Sequence, residues 1–271
     1  MTADRPRRAI IIAAGRGRRL GSHTEEVPKC LVEVGARPIL GWVWAALASA
    51  GIDEVVMIRG YRGDVLERGA RGLGLPVRFV DNPAWADNNV LLSLACARAE
   101  LDRPCLVLYS DIIFTPAVAQ ACAASPAEVG LVVDRAFRDI YVGRDQHPLE
   151  EAEVADLDPA GRVHRVGKRA LPVAEAEGEF IGLAKLGPAG VGWVGHALDQ
   201  LQAHYAGRED EPFQRAARFR NAYLTDLLQH LIGAGRPVDP VLIAGDWREI
   251  DTDQDLARAR ELVSSAPEVW P

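Results

Sequence analysis

The sequence predicts an α/β fold of the doubly wound kind, with a mostly parallel sheet, helices on both faces and a small antiparallel insertion. Residues 8–14 form a continuous apolar run, which is typical of a strand buried on both faces. Strand and helix patterns alternate up to residue 134, which indicates parallel strands joined by right-handed crossovers. After residue 134 the pattern changes to a hairpin and further strands.

The first half of the chain supplies the alternating elements. The pattern predicts strands at 8–14, 54–59, 76–80, 104–109 and 128–133. A helix is predicted from Pro38, a favourable first-turn residue, to Gly51, a natural stop. Further helices are predicted at 64–70, after Asp87 as an N-cap, and from Thr115 onward.

The second half supplies the insertion and the closing elements. Residues 151–157 and 162–166 form a predicted hairpin around a turn at 158–161, and 179–186 is a further strand. Helices are predicted at 188–205 and 221–233, strands at 238–243 and 246–250, and a last helix capped by Thr252. Residues 206–219 are charged and aperiodic, which predicts an exposed loop. We therefore expect a single domain over 1–271, with the antiparallel insertion at about 135–186.

Composition excludes several classes of protein. Apolar residues make up 48% of the 271 residues and charged residues 25%, which is ordinary for a globular protein and excludes disordered and collagen-like chains. A net charge of -7 argues against a nucleic-acid surface. The longest apolar run is far shorter than the ~20 residues that a membrane span needs. The four cysteines form no C-x-x-C pair, which indicates a reducing compartment and a cytoplasmic location.

A glycine loop follows the first predicted strand. Gly15 and Gly17 lie where backbone N–H groups could approach a phosphate, and Arg16, Arg18 and Arg19 add positive charge. The loop lacks the lysine and hydroxyl residue of a Walker motif, and Leu20 breaks the dinucleotide pattern where no helix is expected to begin. A tight turn with solvated arginines remains the alternative on the loop alone.

Lys29 strengthens the phosphate interpretation, because it is one of three lysines in a chain that otherwise uses arginine. With the loop, residues 28–31 resemble the signature of nucleotidyltransferases that act on sugar 1-phosphates and small-alcohol phosphates, in which A-A-G-x-G-x-R-L precedes P-K-x-L. The resemblance implies a Rossmann-like sheet of the nucleotide-diphospho-sugar transferase type. It implies catalytic roles for Arg19 and Lys29, and nucleotide contacts from Ala13, Ala14, Gly15 and Gly17. Arg18 departs from the usual Ser or Thr, and either contacts a phosphate or points outward.

Two aspartates complete the predicted site. Asp111 ends a buried strand, where open α/β sheets place their chemistry, and Asp251 shares a strand face with Glu249. Two carboxylates beside phosphates suit Mg²⁺, and in the resembled family the positions of Asp111 and Asp251 coordinate the metal. Instead of binding a metal, Asp111 could cap a helix or form an ion pair. Asp251 could instead be one of the acidic residues that commonly precede or begin a helix, here the helix capped by Thr252.

Several segments resemble the phosphocholine and phosphonate cytidylyltransferase branch, above all the enzymes of phosphonate biosynthesis. These are 81–94, which contains Asn88 and Ser93, 109–113, which contains Ser110, 178–183, which contains Glu179, and 247–253. The resemblance implies that CTP donates CMP to a small phosphonate, of the aminoethyl, hydroxyalkyl or carboxy kind, with release of pyrophosphate, and that the partners are CTP and a small phosphonate or phosphate ester. Asn88, Ser93 and Ser110 would contact the nucleotide. A phosphocholine or sugar-1-phosphate nucleotidyltransferase is the main alternative, and a non-catalytic nucleotide-binding module the other.

The acceptor pocket is the least determined part. Arg144, His147 and Lys168 suit an anionic acceptor, and Tyr141 and Glu179 are the further candidate contacts. A solvated, charged hairpin is the alternative for Arg144 and His147. An acceptor that is already ionised requires no general base, which agrees with the scattered histidines. A homodimer and a monomer both remain open.

Overall fold

The computed structural model describes residues 5–270, and its regular elements follow the predicted alternation closely. The strands are β1 (Arg8–Ala13), β2 (Glu33–Val34), β3 (Arg37–Pro38), β4 (Glu54–Arg59), β5 (Val77–Asp81), β6 (Cys105–Tyr109), β7 (Ile112–Phe114), β8 (Val129–Asp134), β9 (Glu153–Leu157), β10 (Val163–Lys168), β11 (Gly178–Leu186), β12 (Asp239–Ile243) and β13 (Trp247–Glu249). The α-helices are α1 (Ile39–Ser49), α2 (Gly63–Gly72), α3 (Val90–Cys96), α4 (Pro116–Ala124), α5 (Phe137–Tyr141), α6 (Pro188–Tyr205), α7 (Leu224–Gly233) and α8 (Asp253–Ser265).

The sheet has a parallel centre and an antiparallel extension. Strands β5, β4, β1 and β6 lie side by side and run parallel. Next to β6, β11 runs antiparallel and also pairs with β9 and β8, and β9 pairs with β10 as the predicted hairpin. The α/β fold with a parallel central sheet is therefore confirmed. The single-domain prediction stays a prediction.

Helices cover both faces of the sheet, which explains the continuous apolar runs of the sequence. In β1, Ile11 packs into one core with α1 and α4, and Ile10 packs into the other core with α3 and α6. Because both faces of each central strand are covered, these strands lack the polar alternation of a half-exposed sheet.

Two local predictions were wrong. The residue preceding α3 is Asn89 rather than Asp87. A 3-10 helix, Arg18–Thr24, does begin in the glycine loop, after Gly17 in a left-handed conformation. The predicted exposed loop over 206–219 is confirmed, although its Phe219 is buried and stacks on the Tyr205 ring at 4.3 Å.

The strand ends that carry the candidate residues meet at one edge of the sheet. Strand β13 pairs antiparallel with β7, which brings residues 247–249 beside 112–114. Asp134 at the end of β8 holds this arrangement, because it accepts hydrogen bonds from Trp247 Nε1 at 2.8 Å and from the Gly245 amide. Among the helices of residues 5–270, none combines the length and apolar character needed to cross a bilayer.

Candidate functional site

A cavity of about 370 Å³ opens at the carboxyl ends of the parallel strands. Open α/β sheets bind their ligands at this edge. The lining residues come from the glycine loop, the end of β6, the start of α3, the hairpin and β13. They include Gly15, Gly17, Arg18, Arg19, Lys29, Trp85, Asn88, Ser93, Ser110, Asp111, Glu153, Lys168, Glu179, Tyr223, Glu249 and Asp251.

The two loop glycines serve different physical purposes. Gly17 has a φ of +68°, and a Cβ there would lie 2.8 Å from Lys29 Cδ, so this position requires glycine for the fold. Gly15 lines the cavity, and a Cβ there would meet nothing within 4 Å. The space beside Gly15 is therefore open to a ligand, as a phosphate cradle requires.

Not every predicted loop contact reaches the cavity. Ala13 and Ala14 are buried on opposite sides of the sheet, and neither is among the described residues that line the cavity, so their contact with a nucleotide stays a prediction. Arg18 and Arg19 do line it. Arg16 instead packs 5.5 Å from the Tyr61 ring centroid.

A buried ion cluster occupies the floor of the cavity. Lys29 Nζ donates to Asp111 Oδ2 at 2.9 Å and to Asp251 Oδ1, across 222 positions of sequence. Arg19 forms an ion pair with the other oxygen of Asp251. The predicted meeting of the glycine loop, Lys29 and the two acidic strand ends is thus confirmed, and the cluster joins both ends of the chain.

Burial and charge act in opposite directions on this cluster. Burial alone would lower the pKa of Lys29, but the carboxylates of Asp111 and Asp251 outweigh it, so that the pKa is raised and the ammonium stays charged. Burial would raise the pKa of Asp251, yet Lys29 and Arg19 hold it below its usual range. The ion cluster therefore stays charged on both sides at neutral pH.

Glu249 and His147 extend the cluster on its far side. Glu249 lines the cavity, and burial together with Asp251 and Asp111 raises its pKa well above its usual value. His147 Nδ1 lies 3.2 Å from Glu249 Oε2 and 3.5 Å from Asp251 Oδ2. Burial and Arg144 lower the pKa of His147 to about 4, so the imidazole is neutral. Strand alternation had placed Glu249 on the face of Asp251, and this was the available signal for it.

The donor set fits a divalent cation. Asp111 Oδ1 is buried and has no hydrogen-bond partner among residues 5–270, and Glu249, Asp251 and His147 hold ligand atoms within 4.8 Å of one another. Carboxylate oxygens suit Mg²⁺. Asp111, Glu249 and Asp251 are the residues that would hold such an ion.

Arg144 and Tyr141 do not face the cavity as predicted. Arg144 is buried and donates to Asp255 Oδ1 at 2.6 Å and to Glu249 Oε2 at 3.0 Å. The Tyr141 hydroxyl donates to Glu179 Oε1 at 2.7 Å. His147 is likewise absent from the lining among the described residues. The polar atoms of these three residues face carboxylates of the protein, and their contact with an acceptor stays a prediction.

The cavity also carries an acidic wall, formed by Glu151, Glu153 and Glu179. Lys168 Nζ lies 3.3 Å from Glu151 Oε2 and 5.0 Å from the Tyr223 ring centroid. Burial raises the pKa of Glu153 to about 7 and that of Glu179 to about 8. Sequence reasoning included Lys168 and Glu179 but missed the other two acids, because nothing in a hairpin pattern shows which carboxylates face inward.

A polar network borders the remaining end. Asn82 is buried and donates through Nδ2 to Asn88 Oδ1 at 2.8 Å and to Ser93 Oγ at 2.9 Å. Asn88 and Ser93 line the cavity, as does Trp85, whose ring packs edge-on against Tyr61 at 5.4 Å. These groups offer amide, hydroxyl and aromatic contacts of the kind that a nucleobase uses.

Comparison with known proteins gives the family. Residues 9–171, more than half of the chain, match the model of the MobA-like NTP transferase domain. The chain belongs to this family. It is a nucleotidyltransferase, and the resemblance noted from the sequence is confirmed.

Individual relatives of this MobA-like domain are cytidylyltransferases. CTP:phosphoglutamine cytidylyltransferase of Campylobacter jejuni is 31% identical over 254 residues, which cover 92% of this chain and 97% of that protein. CMP-5'-(3-aminopropyl)phosphonate synthase of Streptomyces rubellomurinus is 36% identical over 137 residues, half of this chain and 22% of that protein. The structure of CTP:phosphocholine cytidylyltransferase from Streptococcus pneumoniae superimposes with a TM-score of 0.70 at 21% identity, and covers 94% and 98% of the two chains.

Proposed function

We propose that this nucleotidyltransferase transfers CMP from CTP to a small phosphonate that carries an amino group, and releases pyrophosphate. The observation that carries the proposal is the burial of Lys29 between Asp111 and Asp251, beside the open space at Gly15. This arrangement offers one cavity with cationic groups for a triphosphate and carboxylates for a divalent cation.

The reaction requires positioning more than proton transfer. An ionised phosphonate oxygen attacks the α-phosphorus of CTP, a new P–O bond forms, and the bond to the β-phosphate oxygen breaks. Arg19 and Lys29 would stabilise the charge that develops on the phosphates. A divalent cation, when bound, would neutralise further phosphate charge. The proposed mechanism requires no general base to activate the nucleophile, because the acceptor oxygen is already ionised.

Lys29 and Arg19 have a second role before substrates bind. In this structure their charges neutralise Asp251, which is only 4% exposed. A triphosphate and a cation that enter together would offer new partners to both sides of these ion pairs. The buried carboxylate of Asp251 would thus have a cationic partner both before and after substrates bind, which avoids an uncompensated buried charge.

The acidic wall favours an acceptor with a positive end. Glu153 and Glu179 are buried, and Glu179 Oε2 has no hydrogen-bond partner within residues 5–270. An ammonium group would supply the missing partner and charge. This narrows the anionic acceptor predicted from the sequence to one that also carries an amino group, and the aminopropylphosphonate named for one relative agrees with it.

Phosphoglutamine is a second candidate acceptor, and a specific observation favours it. A second cavity of about 500 Å³ shares Glu151, Lys168 and Tyr223 with the first, and also includes Arg169 and Arg215. It could hold the tail of a longer acceptor that bears a carboxylate. The relative from Campylobacter jejuni agrees with this candidate.

Pyrophosphate release with each of the four nucleoside triphosphates tests the proposal. The acceptors are aminoethylphosphonate, aminopropylphosphonate, phosphoglutamine, phosphocholine and a sugar 1-phosphate. We expect release with CTP and an aminoalkylphosphonate. Release with phosphoglutamine alone would select the second candidate, and release with the sugar phosphate alone would overturn both. Glu153→Gln should raise KM for the amino acceptor and leave KM for CTP unchanged.

A further inference from the structure

His147 is a buried imidazole that its surroundings do not explain as a structural residue. Its side chain is about 2% exposed, and among residues 5–270 neither ring nitrogen has a hydrogen-bond partner. Buried polar atoms without partners are rare in folded proteins, and each one calls for a reason. The Tyr141 ring packs edge-on against His147 at 6.3 Å between centroids, but this contact supplies no hydrogen bond to either ring nitrogen.

The ring points an unused nitrogen at two carboxylates. Nδ1 lies 3.2 Å from Glu249 Oε2 and 3.5 Å from Asp251 Oδ2, without the angles of a hydrogen bond to either. Ligand atoms at adjacent corners of an octahedron around a divalent ion lie about 3 Å apart, given metal–ligand bonds of about 2.1 Å. The two distances from Nδ1 are therefore close to those between neighbouring ligands of one ion, and the ligand atoms of all three residues lie within 4.8 Å of one another.

An ion pair is a poorer explanation of the same geometry. Protonation of His147 would bury a second cation beside Arg144, which already donates to Glu249 Oε2 at 3.0 Å. Arg144 also fixes the orientation of that carboxylate toward the imidazole. The cluster thus combines the carboxylate of Glu249, which Arg144 positions, the carboxylate of Asp251 and a ring nitrogen of His147 that makes no hydrogen bond among residues 5–270.

We propose that His147 is a nitrogen ligand of the cation site formed with Glu249 and Asp251, and that this site therefore prefers a first-row transition-metal ion such as Mn²⁺ to Mg²⁺. Imidazole nitrogen binds the first-row transition-metal ions, with Mn²⁺ the weakest of the series, whereas Mg²⁺ selects oxygen ligands. The inference rests on the proposed function only in expecting a cation beside these carboxylates.

Pulsed electron paramagnetic resonance of the full chain with Mn²⁺, alone and with CTP, tests this directly. We expect echo modulation from a directly bound nitrogen, and we expect it to vanish in His147→Phe, which keeps an aromatic ring without a ligand. The absence of nitrogen modulation from the wild-type protein in both states would overturn the proposal. The outcome that would overturn the proposal needs only the wild-type protein and no turnover.

Metal titrations distinguish a ligand from a packing residue. His147→Phe should weaken Mn²⁺ binding about tenfold or more, with a much smaller change for Mg²⁺. Equal losses for both ions, or none, would contradict a ligand role. His23→Phe is the matched control, because His23 also lies near a carboxylate, 3.5 Å from Asp253, but outside the cluster. The two proposals fail separately. Nitrogen coupling in the electron paramagnetic resonance spectrum, with no pyrophosphate release in the activity assay, would refute the proposed function alone. Pyrophosphate release with Mn²⁺, but without nitrogen coupling, would refute the ligand role of His147 alone.

Discussion

Replacement of Lys29 by methionine tests the ion cluster most directly. The ammonium is 7% exposed and lies between two carboxylates, so the variant leaves Asp251 and part of Asp111 without a buried partner. Breaking a buried pair costs about 3–5 kcal/mol, and the lower end applies because Arg19 still contacts Asp251. At about 2 °C per kcal/mol for a chain of this size, we expect the melting temperature to fall by about 6 °C.

Thermal melts in chelator and with added Mg²⁺ measure this effect. The cation neutralises the same carboxylates, so Mg²⁺ should stabilise Lys29→Met more than it stabilises the wild type. Turnover should fall by about a hundredfold or more, because a charge at the reacting phosphates is lost. Lys168→Met is the control, since the ion pair of Lys168 with Glu151 is partly exposed and worth about 1 kcal/mol or less. A melting temperature equal to that of the wild type in chelator would refute the reasoning.

Three further outcomes follow from the same structure. The pKa of Glu153 in the folded protein is about 7, above its ordinary value, so its contribution to stability is complete below about pH 4 and is lost as the pH rises through 7. Melting temperatures measured from pH 5 to 8 should therefore fall with pH, and Glu153→Gln should reduce that fall. The same fall in the variant as in the wild type would contradict this assignment. Arg144→Gln should lower the free energy of unfolding, measured by chemical denaturation, by about 3–5 kcal/mol, because it removes the cation that pairs with Asp255 and Glu249 in the interior. A loss below about 1 kcal/mol would show that these ion pairs do not stabilise the fold. Gly15→Ala should keep the wild-type melting temperature but weaken CTP binding about tenfold in calorimetry, whereas Gly17→Ala should lower stability by about 1–2 kcal/mol; equal melting losses in both would show that the space at residue 15 is not reserved for a ligand.

Predictions from the sequence succeeded where one short segment carries its own physical signal. The apolar run of β1 is buried on both faces, as expected, and the glycine loop, Lys29 and the two aspartates meet in one cavity. In each case the residue type and its place at a strand end limit where the side chain can go. The alternation of strands and helices predicts parallel strands, and parallel strands place their carboxyl ends at the same edge of the sheet.

The acceptor side resisted prediction for a different reason. Arg144 and His147 follow the short helix α5 in an irregular segment, where no periodicity determines which way a side chain points. A basic residue there can face a substrate or a buried carboxylate. Asp255, more than a hundred positions away, is the partner that decides it for Arg144.

The amino-acid sequence by itself determined the parallel α/β core and the meeting of the glycine loop, Lys29 and the two aspartates, since apolar runs, glycines and a rare lysine act through local geometry. Only the tertiary structure decided the character of the acceptor end. Three glutamates of the insertion face the cavity there, while Arg144 turns toward carboxylates of β13 and α8. The charge that a cavity presents is the sum of side chains that long-range packing brings together or neutralises, and no single segment contains that sum.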